Sequence, residues 1–520
     1  MKTTDTQAAW KYHDATKHSY HSIRLNRHFL DWANQPRPFK IYPSIERVPL
    51  PRDVPQTGVA ALEAISERVL SDSGDAVPDL AVPDLQDLSS ILFFSAGITK
   101  QRKYTGGEIY FRAAACTGAL YEIELYVITG ELKGLDAGVY HFNPADMSLG
   151  LLRRGDFRGN LAHATAMEPT VLSAPTTIVC TGTYWRNAWK YQARTYRHFG
   201  WDNGTLLANM LAVTAASGLP AEIVPGFVDD EVNRLLDLDT RREVSLCLVP
   251  IGRISSGSLP GPTDTPTLDL KTIPLSQREV EYPVMLEMHG ASSLTSAQEV
   301  AQWRARGKQA AASSSAAAGE ELRLQPLRQE DQPKDTIGQV ILRRGSTRTF
   351  DPAATMTIAQ LSTILDCTTR GLRADFLEPG SQLNDVYLIA HAVEGLAPGA
   401  YFFRRVPGTL EPLKLGNFRA EAYRLGLEQQ LPADACVDVF FLADLNRILE
   451  AYGNRGYRCV QLEAGAIGGK MYLATYALRL GASGLTFFDD EVAQFFSPHA
   501  KDKSAIFLLA IGKPLKRTAE

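Results

Sequence analysis

The sequence lacks the features that mark several large classes of protein. Its 520 residues include only six cysteines, with no C-x-x-C pair and no matching histidine spacing, so neither a disulfide framework nor a zinc site is indicated. No hydrophobic run approaches the roughly 18 uninterrupted apolar residues of a membrane helix. Segment 1–20 mixes charges too closely for a secretory signal. We therefore expect structural thiols, no bound metal, no membrane contact and a cytoplasmic protein.

Neither sign of charge is in large excess. The chain carries 54 Lys and Arg against 58 Asp and Glu, for a net charge of −4. This balance argues against a protein that holds nucleic acid by counterion release. Because 45% of the residues are hydrophobic and 22% are charged, disordered, collagen-like and coiled-coil classes are excluded. The composition predicts a globular, multidomain protein.

The signatures of several common active sites are also absent. No G-x-G-x-x-G follows a predicted strand, and the P-loop-like segment 468–470 is followed by Met471, where a hydroxyl must reach magnesium. The sequence contains neither H-E-x-x-H nor G-x-S-x-G, which excludes the usual zinc peptidases and hydrolases. Four histidines, at positions 13, 18, 21 and 28, lack cysteine or carboxylate at ligand spacing, so they predict an exposed polar arm.

The sequence does contain an internal repeat. With an offset of 261, GLDAGVYHF at 134–142 matches GLAPGAYFF at 395–403, and after a one-residue slip DDEV at 229–232 matches DDEV at 489–492. Several matches in one order at one spacing indicate a duplicated domain. Within each copy, helical spacing alternates with period-two strands, which is typical of an α+β layered domain. The DDEV segments are expected to open helices rather than to act in catalysis.

The repeat divides the chain into four parts. We expect an N-terminal arm with lead-in helices at 1–87, a first domain at 88–254, a linker at 255–335 and a second domain at 336–520. The Ala/Ser-rich stretch 307–321 inside the linker is of low complexity, which is typical of a mobile connection.

The second copy opens with a candidate anion site in the sequence LRRGSTRTF at 342–350. If Arg344 and Arg348 stand one helical turn apart, both guanidinium groups lie on one side, with the Ser346 hydroxyl between them. Guanidinium keeps its charge and binds phosphate through two hydrogen bonds, so the motif suits a phosphate monoester. The alternative is a solvated basic helix start, and the spacing alone does not separate the two interpretations.

This motif resembles the R-x-S-x-R-x-F opening of the flavin-dependent nitroreductase superfamily, and the chain more narrowly resembles the SagB/ThcOx-type dehydrogenases. Segment 12–43 is similar to the leader of their large two-copy members. RAAACTGALYEIELYV at 112–127 is similar to their R-x-x-P-S-x-G-x-L-Y-x-x-E-x-Y-V, and WKYQARTYRHFGWDNG at 189–204 is similar to their K-Y-x-x-R-x-Y-R segment. The resemblance implies two tandem nitroreductase-like domains, each a mixed, mainly antiparallel sheet flanked by helices, that form a pseudo-dimer within one chain.

The resemblance also implies an FMN site shared by the two copies. The residues implied to bind FMN are Arg344, Ser346 and Arg348 at the phosphate, Ala115, Cys116, Thr117 and Gly118 from the first copy, and Ser483, Gly484 and Leu485 near flavin N5. Ala115-Cys116 stands where the family usually has Pro-Ser. The hydroxyl expected near the flavin therefore comes from Thr117 or is missing.

Lys190 and Tyr191 match the catalytic Lys-Tyr pair of azoline oxidases. The counterpart of Lys190 at the offset of 261 is Ala451, and no R-x-S-x-R precedes Leu88. Only one composite site therefore keeps every element, which predicts one FMN per chain. A lysine is a base near neutral pH only if burial or a nearby cation lowers its pKa, and we expect Arg194 and Arg197 to contribute. The alternative is a surface lysine beside packed helices.

The activity implied by the resemblance is FMN-dependent dehydrogenation or oxidation of an azoline-type heterocycle in a modified peptide or related small metabolite, with hydride passing to flavin N5. One alternative is an NAD(P)H-dependent nitroreductase or flavin reductase, and another is a noncatalytic peptide-binding descendant. The expected partner is a small molecule or a peptide, and whether whole chains form a homodimer is left open.

Overall fold

The computed structural model describes residues 6–55, 57–66, 80–104, 107–254, 259–310 and 321–515. Residues 311–320 of the predicted Ala/Ser-rich connection lie outside the described residues. None of the described helices is both long enough and apolar enough to cross a membrane. The helices are α1 (Gln7–Ala15), α2 (Tyr20–Leu25), α3 (Ala61–Ile65), α4 (Leu85–Ala96), α5 (Arg158–Ala164), α6 (Pro169–Ser173), α7 (Tyr184–Tyr191), α8 (Thr195–Ala216), α9 (Asp229–Leu235), α10 (Pro283–Ala291), α11 (Ala297–Ala310), α12 (Ile337–Arg343), α13 (Ile358–Thr368), α14 (Arg419–Leu425), α15 (Gln430–Asp434), α16 (Leu445–Tyr452), α17 (Arg455–Ala477) and α18 (Asp489–Phe496).

Two large antiparallel sheets form the framework, in the orders β1-β6-β5-β4-β7-β8 and β16-β17-β15-β11-β13-β14-β9. Two-stranded sheets join β2 to β3 and β10 to β12. With helices flanking both large sheets, the predicted α+β class with two tandem domains is confirmed. The strands are β1 (Arg47–Pro49), β2 (Ile98–Tyr104), β3 (Gly107–Arg112), β4 (Ile123–Thr129), β5 (Gly138–Asn143), β6 (Ser148–Arg154), β7 (Thr176–Thr183), β8 (Glu243–Ile251), β9 (Leu322–Arg323), β10 (Met356–Thr357), β11 (Asp385–Ala390), β12 (Val393–Glu394), β13 (Gly399–Arg404), β14 (Thr409–Leu415), β15 (Val437–Ala443), β16 (Gly481–Leu485) and β17 (Ser504–Gly512).

The two sheets share both their strand order and the positions of their register shifts. The order β6-β5-β4-β7-β8 in the first copy corresponds to β14-β13-β11-β15-β17 in the second. The register shifts between Val139 and Tyr140 in one and between Ala400 and Tyr401 in the other, again with an offset of 261. A second shift, in β7 and β15, shows the same offset. Because a bulge is a specific local feature of a strand, its recurrence supports duplication of one ancestral domain.

The long helices α8 and α17, one from each copy, cross at the centre of the molecule with their backbones in contact. A Cβ atom added at Gly204 would lie 2.4 Å from the backbone nitrogen of Ala466, and one at Gly465 would lie 2.6 Å from the carbonyl oxygen of Trp201. Glycine is therefore needed at both positions for this close approach. One large hydrophobic core extends through both copies, so they form a pseudo-dimer within one chain.

A buried ion pair at the start of α18 ties the second copy to the first. One carboxylate oxygen of Asp489 lies 3.1 Å from a guanidinium nitrogen of Arg194, and the other lies 2.5 Å from Arg197. All three side chains are at most 4% exposed. Burial opposes ionisation of Asp489, but the two arginines outweigh it and hold the pKa of that carboxyl below its ordinary value. The carboxylate serves the domain interface and opens a helix, as expected for DDEV.

The same arrangement recurs on the other side of the pseudo-twofold axis. Asp229 at the start of α9 lies 2.6 Å from Arg455 and 2.7 Å from Arg458 of the second copy. Burial again opposes ionisation, and the two arginines lower the pKa of Asp229 to about 2. Each copy thus supplies a carboxylate that pairs with two buried arginines of the other copy.

Replacing Asp489 with asparagine is expected to lower the free energy of unfolding by about 3–5 kcal/mol, because Arg194 and Arg197 would remain buried without a counter-charge. In the wild-type protein this ionic contribution is fully present above the ordinary carboxylate pKa of about 4. It is lost as the pH falls through the depressed pKa of the folded state. Urea unfolding at pH 7 and at a series of pH values below 5 measures both effects.

The matched control for this variant is Asp490→Asn. Asp490 is the neighbouring carboxylate, with an exposed ion pair to Lys17, so its replacement should change the unfolding free energy by less than about 1 kcal/mol. Equal losses in the two variants would contradict the importance of the buried pair.

The N-terminal arm begins with α1, which fills a groove between the two copies. The Tyr12 hydroxyl donates to the carbonyl oxygen of Ala193 at 2.6 Å, and His13 Nδ1 lies 3.2 Å from the Tyr457 hydroxyl. Tyr12 and His13 are both buried. The prediction of a wholly exposed arm is therefore wrong for His13, because the sequence gives no sign that a groove between the copies receives this helix.

Candidate functional site

The predicted anion motif follows α12 in an extended segment. The helix ends at Arg343, and Arg344 has φ −56° and ψ 142°, so Arg344 and Arg348 do not share a helical turn. The helical interpretation of this motif is wrong, because the chain leaves the helix before Gly345, a residue that disfavours helix. Arg344 instead crosses to the first copy, where its Nε donates to the carbonyl oxygen of Ala113 at 3.0 Å.

In the rest of the motif, the side chains of Ser346 and Arg348 make few contacts with the protein. Ser346 is partly buried, and its hydroxyl has only a long contact of 3.5 Å with the Tyr472 hydroxyl. Arg348 is exposed and has no carboxylate partner among the residues that the structure describes. Between them, the Thr347 amide donates to the carbonyl oxygen of Ala482 at 2.9 Å. The motif is therefore anchored by its backbone beside β16 while its hydroxyl and its second guanidinium remain free for a ligand.

Helix α8 holds the first-copy loop 115–118 in place. The backbone nitrogen and the hydroxyl of Thr117 both donate to Asp202 Oδ1, at 2.8 and 2.9 Å. The hydroxyl of Thr205 donates to the carbonyl oxygen of Ala115 at 2.7 Å. The hydroxyl expected near the flavin comes from Thr117 or is missing, and the Thr117 hydroxyl is already bound to the carboxylate of Asp202.

Cys116 forms a buried acidic cluster with Glu122 and Asp202. Its Sγ lies 3.3 Å from Glu122 Oε2 and 3.4 Å from Asp202 Oδ2. Burial and the two neighbouring acids raise the pKa of the thiol, and burial together with Glu122 raises the pKa of Asp202. The three ligand atoms lie within 4.8 Å of one another, but shared protons account for this spacing without an ion. Sequence reasoning missed both carboxylates, although they lie in the segments 112–127 and 189–204.

Lys190 and Tyr191 occupy the last turn of α7. The Lys190 ammonium group is partly buried and lies 5.2 Å from the centre of the Tyr191 ring. Burial lowers the pKa of Lys190, and the positive charge of Arg348 in the second copy lowers it further. Lys190 and Arg348 therefore lie near enough for their charges to interact, and we call the region between the two copies at these residues the cleft. Like Arg348, Lys190 has no carboxylate partner in the described part of the chain.

The two arginines expected to tune Lys190 do not do so. Arg194 and Arg197 are occupied by Asp489 at the domain interface. The cation that acts on Lys190 comes from the other copy, and the expectation drawn from spacing along one helix is wrong. Because Lys190 and Arg348 lie far apart in the sequence, no helical spacing indicates that they interact.

Tyr191 closes the cleft beside Gly118. Gly118 has φ +63°, and a Cβ atom at this position would lie 2.8 Å from the Tyr191 hydroxyl, so only glycine fits here without strain. The Tyr191 ring packs edge-on against His198, with 4.7 Å between ring centres. Burial and then Asp202, Cys116 and Glu122 raise the pKa of Tyr191. The phenol therefore keeps its proton at neutral pH and can donate a hydrogen bond.

The segment expected near flavin N5 forms most of β16. Ser483 is buried, Gly484 is exposed and Leu485 is partly buried. The backbone nitrogen of Gly484 donates to the Tyr472 hydroxyl, and the Arg344 guanidinium lies 6.0 Å from the Tyr472 ring centre. Tyr472 thus joins this segment to the anion motif. Sequence reasoning missed it because it lies in a long, largely buried helix where an aromatic residue suggests core packing.

The second pseudo-symmetric cleft is filled by protein. Tyr452 is the counterpart of Tyr191 and Phe376 that of Ala115, both with an offset of 261. The Tyr452 hydroxyl donates to the carbonyl oxygens of Phe376 and Gly307, at 2.8 and 2.9 Å. The fully buried Trp303 of helix α11 donates to the carbonyl oxygen of Tyr452 at 3.0 Å.

Helix α11 is held in that position by charge. Arg304 lies 3.1 Å from a carboxylate oxygen of Glu168 and 2.9 Å from one of Asp375, so it joins this helix to both copies. Part of the region predicted as a linker therefore packs as a structural plug beside Tyr452.

Comparison with known proteins agrees with this architecture. The family model described as the nitroreductase family matches residues 81–253 and 341–513. The chain belongs to the nitroreductase family. Two copies of the nitroreductase domain thus follow each other in one chain, and members of the family are generally flavin-binding oxidoreductases.

Individual relatives cover different parts of this nitroreductase-family chain. A crystal structure described as that of a nitroreductase from Anabaena variabilis ATCC 29413 aligns with a TM-score of 0.74 and 26% identity, over 98% of this chain and 100% of that one. MJ1384 of Methanocaldococcus jannaschii, named as a nitroreductase, is 28% identical over 169 residues, which are 32% of this chain and 80% of MJ1384. The trifolitoxin-processing protein TfxB of Rhizobium leguminosarum bv. trifolii is 29% identical over 141 residues, which are 26% of this chain and 38% of TfxB.

Proposed function

We propose that this protein is an FMN-dependent dehydrogenase or oxidase that removes hydride from an azoline-type heterocycle in a modified peptide or related small metabolite. The observation that carries the proposal is the contact of the second-copy anion motif with the first copy, where Arg344 donates to the carbonyl oxygen of Ala113 at 3.0 Å. Arg348 of the same motif also lies near enough to Lys190 to lower its pKa. Two cations close enough for one to lower the pKa of the other, without a carboxylate partner among the described residues, favour an anionic ligand. A flavin phosphate meets this requirement, and the Ser346 hydroxyl of the same motif would donate a hydrogen bond to it.

The residues of the cleft divide into binding and chemical roles. Arg348 and Ser346 would hold the phosphate, and Arg344 would shape the cradle through its bond to the carbonyl oxygen of Ala113. Loop 115–118 and segment 483–485 would line the two sides of the ring system. When bound, FMN supplies the acceptor for hydride at N5.

Conversion of an azoline to the aromatic azole removes one hydride and one proton, and a base must accept the proton. Lys190 suits this role because burial and Arg348 lower its pKa, which increases the share of the neutral amine that can accept a proton. Tyr191 keeps its proton and would orient the heterocycle by donating a hydrogen bond. In this scheme two electrons and one proton leave the substrate as hydride, and the other proton moves to the Lys190 amine.

The similarity to TfxB supports a role in processing of a biosynthetic product, because that relative is named for the processing of trifolitoxin. The names of MJ1384 and of the Anabaena protein favour the alternative, an NAD(P)H-dependent nitroreductase or flavin reductase. Anaerobic mixing with NADPH or NADH separates the two. Slow or absent bleaching of the bound flavin is expected for the dehydrogenase, whereas bleaching within seconds would support the reductase.

Native mass spectrometry of the FMN-saturated protein is expected to show one flavin per chain. The second cleft cannot hold another, because Trp303, Phe376 and Tyr452 occupy it. Two flavins per chain would contradict the filled cleft. A colourless protein that takes up no added FMN would overturn the proposed function and favour a noncatalytic peptide-binding role.

A further inference from the structure

A two-stranded hairpin leads directly into the proposed active-site cleft. Strands β2 and β3 pair only with each other among the described strands, so their outer edges present unpaired backbone N–H and C=O groups. The hairpin ends at Arg112, whose carbonyl oxygen accepts a hydrogen bond from Arg344 at 3.3 Å. The open hairpin therefore stands next to the anion motif and the loop 115–118.

Strand β2 of this hairpin carries several positive charges. Lys100, Arg102 and Lys103 are all exposed on β2. Only Lys103 has an acidic partner in the described part of the chain, since Glu108 lies 3.3 Å from its ammonium group. The uncompensated charges of Lys100 and Arg102 lie on the hairpin that ends at Arg112 and its contact with Arg344, so this surface favours an acidic ligand.

The N-terminal arm adds apolar surface between the hairpin and the cleft. Phe39 packs edge-on against Tyr110 of β3, with 5.2 Å between ring centres. Further back in the arm, Trp32 packs at 5.2 Å against Trp189, which directly precedes the proposed catalytic lysine. Trp32 is 68% exposed and the nearby Phe29 is 86% exposed. Trp32 and Phe29 therefore leave apolar surface exposed on the arm beside Trp189.

We propose that the outer edge of β2 docks an extended, acidic segment of a peptide substrate as a third strand, with Lys100 and Arg102 binding its carboxylates. This inference rests on the proposed function and deepens it by assigning the substrate to acidic peptides. Strand addition satisfies the free backbone groups, and side chains set the specificity. The seven residues of β2 span about 23 Å, so docking would occur away from the heterocycle and bring it to the cleft.

The test uses the full-length, FMN-loaded protein and a rhodamine-labelled octapeptide of alternating Glu and Val, followed by fluorescence anisotropy. We expect binding that weakens as salt is raised, because exposed charges are screened. The double variant Lys100→Glu/Arg102→Glu should bind about tenfold or more weakly, since attraction becomes repulsion. The matched control Lys133→Glu/Lys501→Glu reverses two exposed lysines outside the hairpin and should bind like the wild type.

Two further probes make the test specific. An octapeptide with Lys in place of Glu should bind at least tenfold more weakly than the acidic octapeptide. An octapeptide with Pro in place of each Val cannot form the strand hydrogen bonds, so it should also bind more weakly. Equal binding of the acidic and basic peptides, or wild-type affinity in the Lys100→Glu/Arg102→Glu variant, would overturn the docking proposal. Flavin content is measured separately by absorbance. If the protein retains flavin but does not bind the acidic peptide, only the docking site is refuted. If the protein binds the acidic peptide but takes up no flavin, only the flavin function is refuted.

Discussion

Replacement of both Arg344 and Arg348 by alanine is expected to give a folded protein that no longer retains FMN. Hydrogen bonds to a charged group contribute about 1.5–3 kcal/mol each, and a guanidinium group can make two of them to a phosphate. Loss of Arg348 together with the cradle that Arg344 shapes should therefore weaken flavin binding by two orders of magnitude or more. The absorbance spectrum after gel filtration and calorimetric titration with FMN measure the effect. Retention of flavin at wild-type affinity would contradict the assignment of this motif.

The single variants separate binding from folding. Arg344 donates to carbonyl oxygens of the first copy, so Arg344→Ala should lower both the melting temperature and the affinity for FMN. Arg348 is exposed, so Arg348→Ala should weaken FMN binding with little change in melting temperature. Arg328→Ala removes an exposed arginine that pairs with Asp331 outside the cleft, and it should change neither property.

Replacement of Lys190 by alanine is expected to leave the protein yellow but to slow oxidation of the heterocyclic substrate by about 10²–10⁴-fold, the range typical of a lost general base. In the wild-type protein the rate should rise with pH as the Lys190 ammonium group loses its proton. This rise should occur below the ordinary lysine range, because burial and Arg348 lower its pKa. Stopped-flow reduction of the flavin by substrate across pH 6 to 10 measures both effects.

The variant Lys190→Arg distinguishes a base from a simple positive charge. Arginine keeps the charge but does not release its proton in this range, so Lys190→Arg should be as slow as Lys190→Ala and should lose the rise with pH. Recovery of the rate in Lys190→Arg would show that charge alone is needed, and wild-type turnover in Lys190→Ala would remove this residue from the mechanism.

The duplicated fold could be predicted because its signals are local. The period-two strands and the offset of 261 appear directly in the sequence, and the equivalent register shifts near Tyr140 and Tyr401 confirm them. The helical reading of the Arg344 motif failed because a spacing of four residues also fits an extended segment after a helix end. The local pattern does not show where Gly345 leads the chain out of α12.

The features that sequence reasoning missed depend on distant parts of the chain. The pKa of Lys190 responds to Arg348, 158 residues further on in the printed sequence, while the nearer Arg194 is committed to Asp489. Trp303 lies in a region whose pattern departs from both copies, so its burial against the second cleft could not be anticipated. Asp202 is a similar case, because a carboxylate inside an apolar helix gives no indication of the loop that it holds.

Because of the reciprocal salt bridges of Asp229 and Asp489, each half of the molecule stabilises the fold of the other. A half produced alone would expose two arginines that had been enclosed by protein, together with the glycine-lined helix surface that normally meets its twin. Truncation at the boundary between the halves would therefore leave insoluble fragments rather than a smaller enzyme. The copy that carries the Arg344 motif is therefore needed twice, once for the fold of its twin and once for the site that the two copies share.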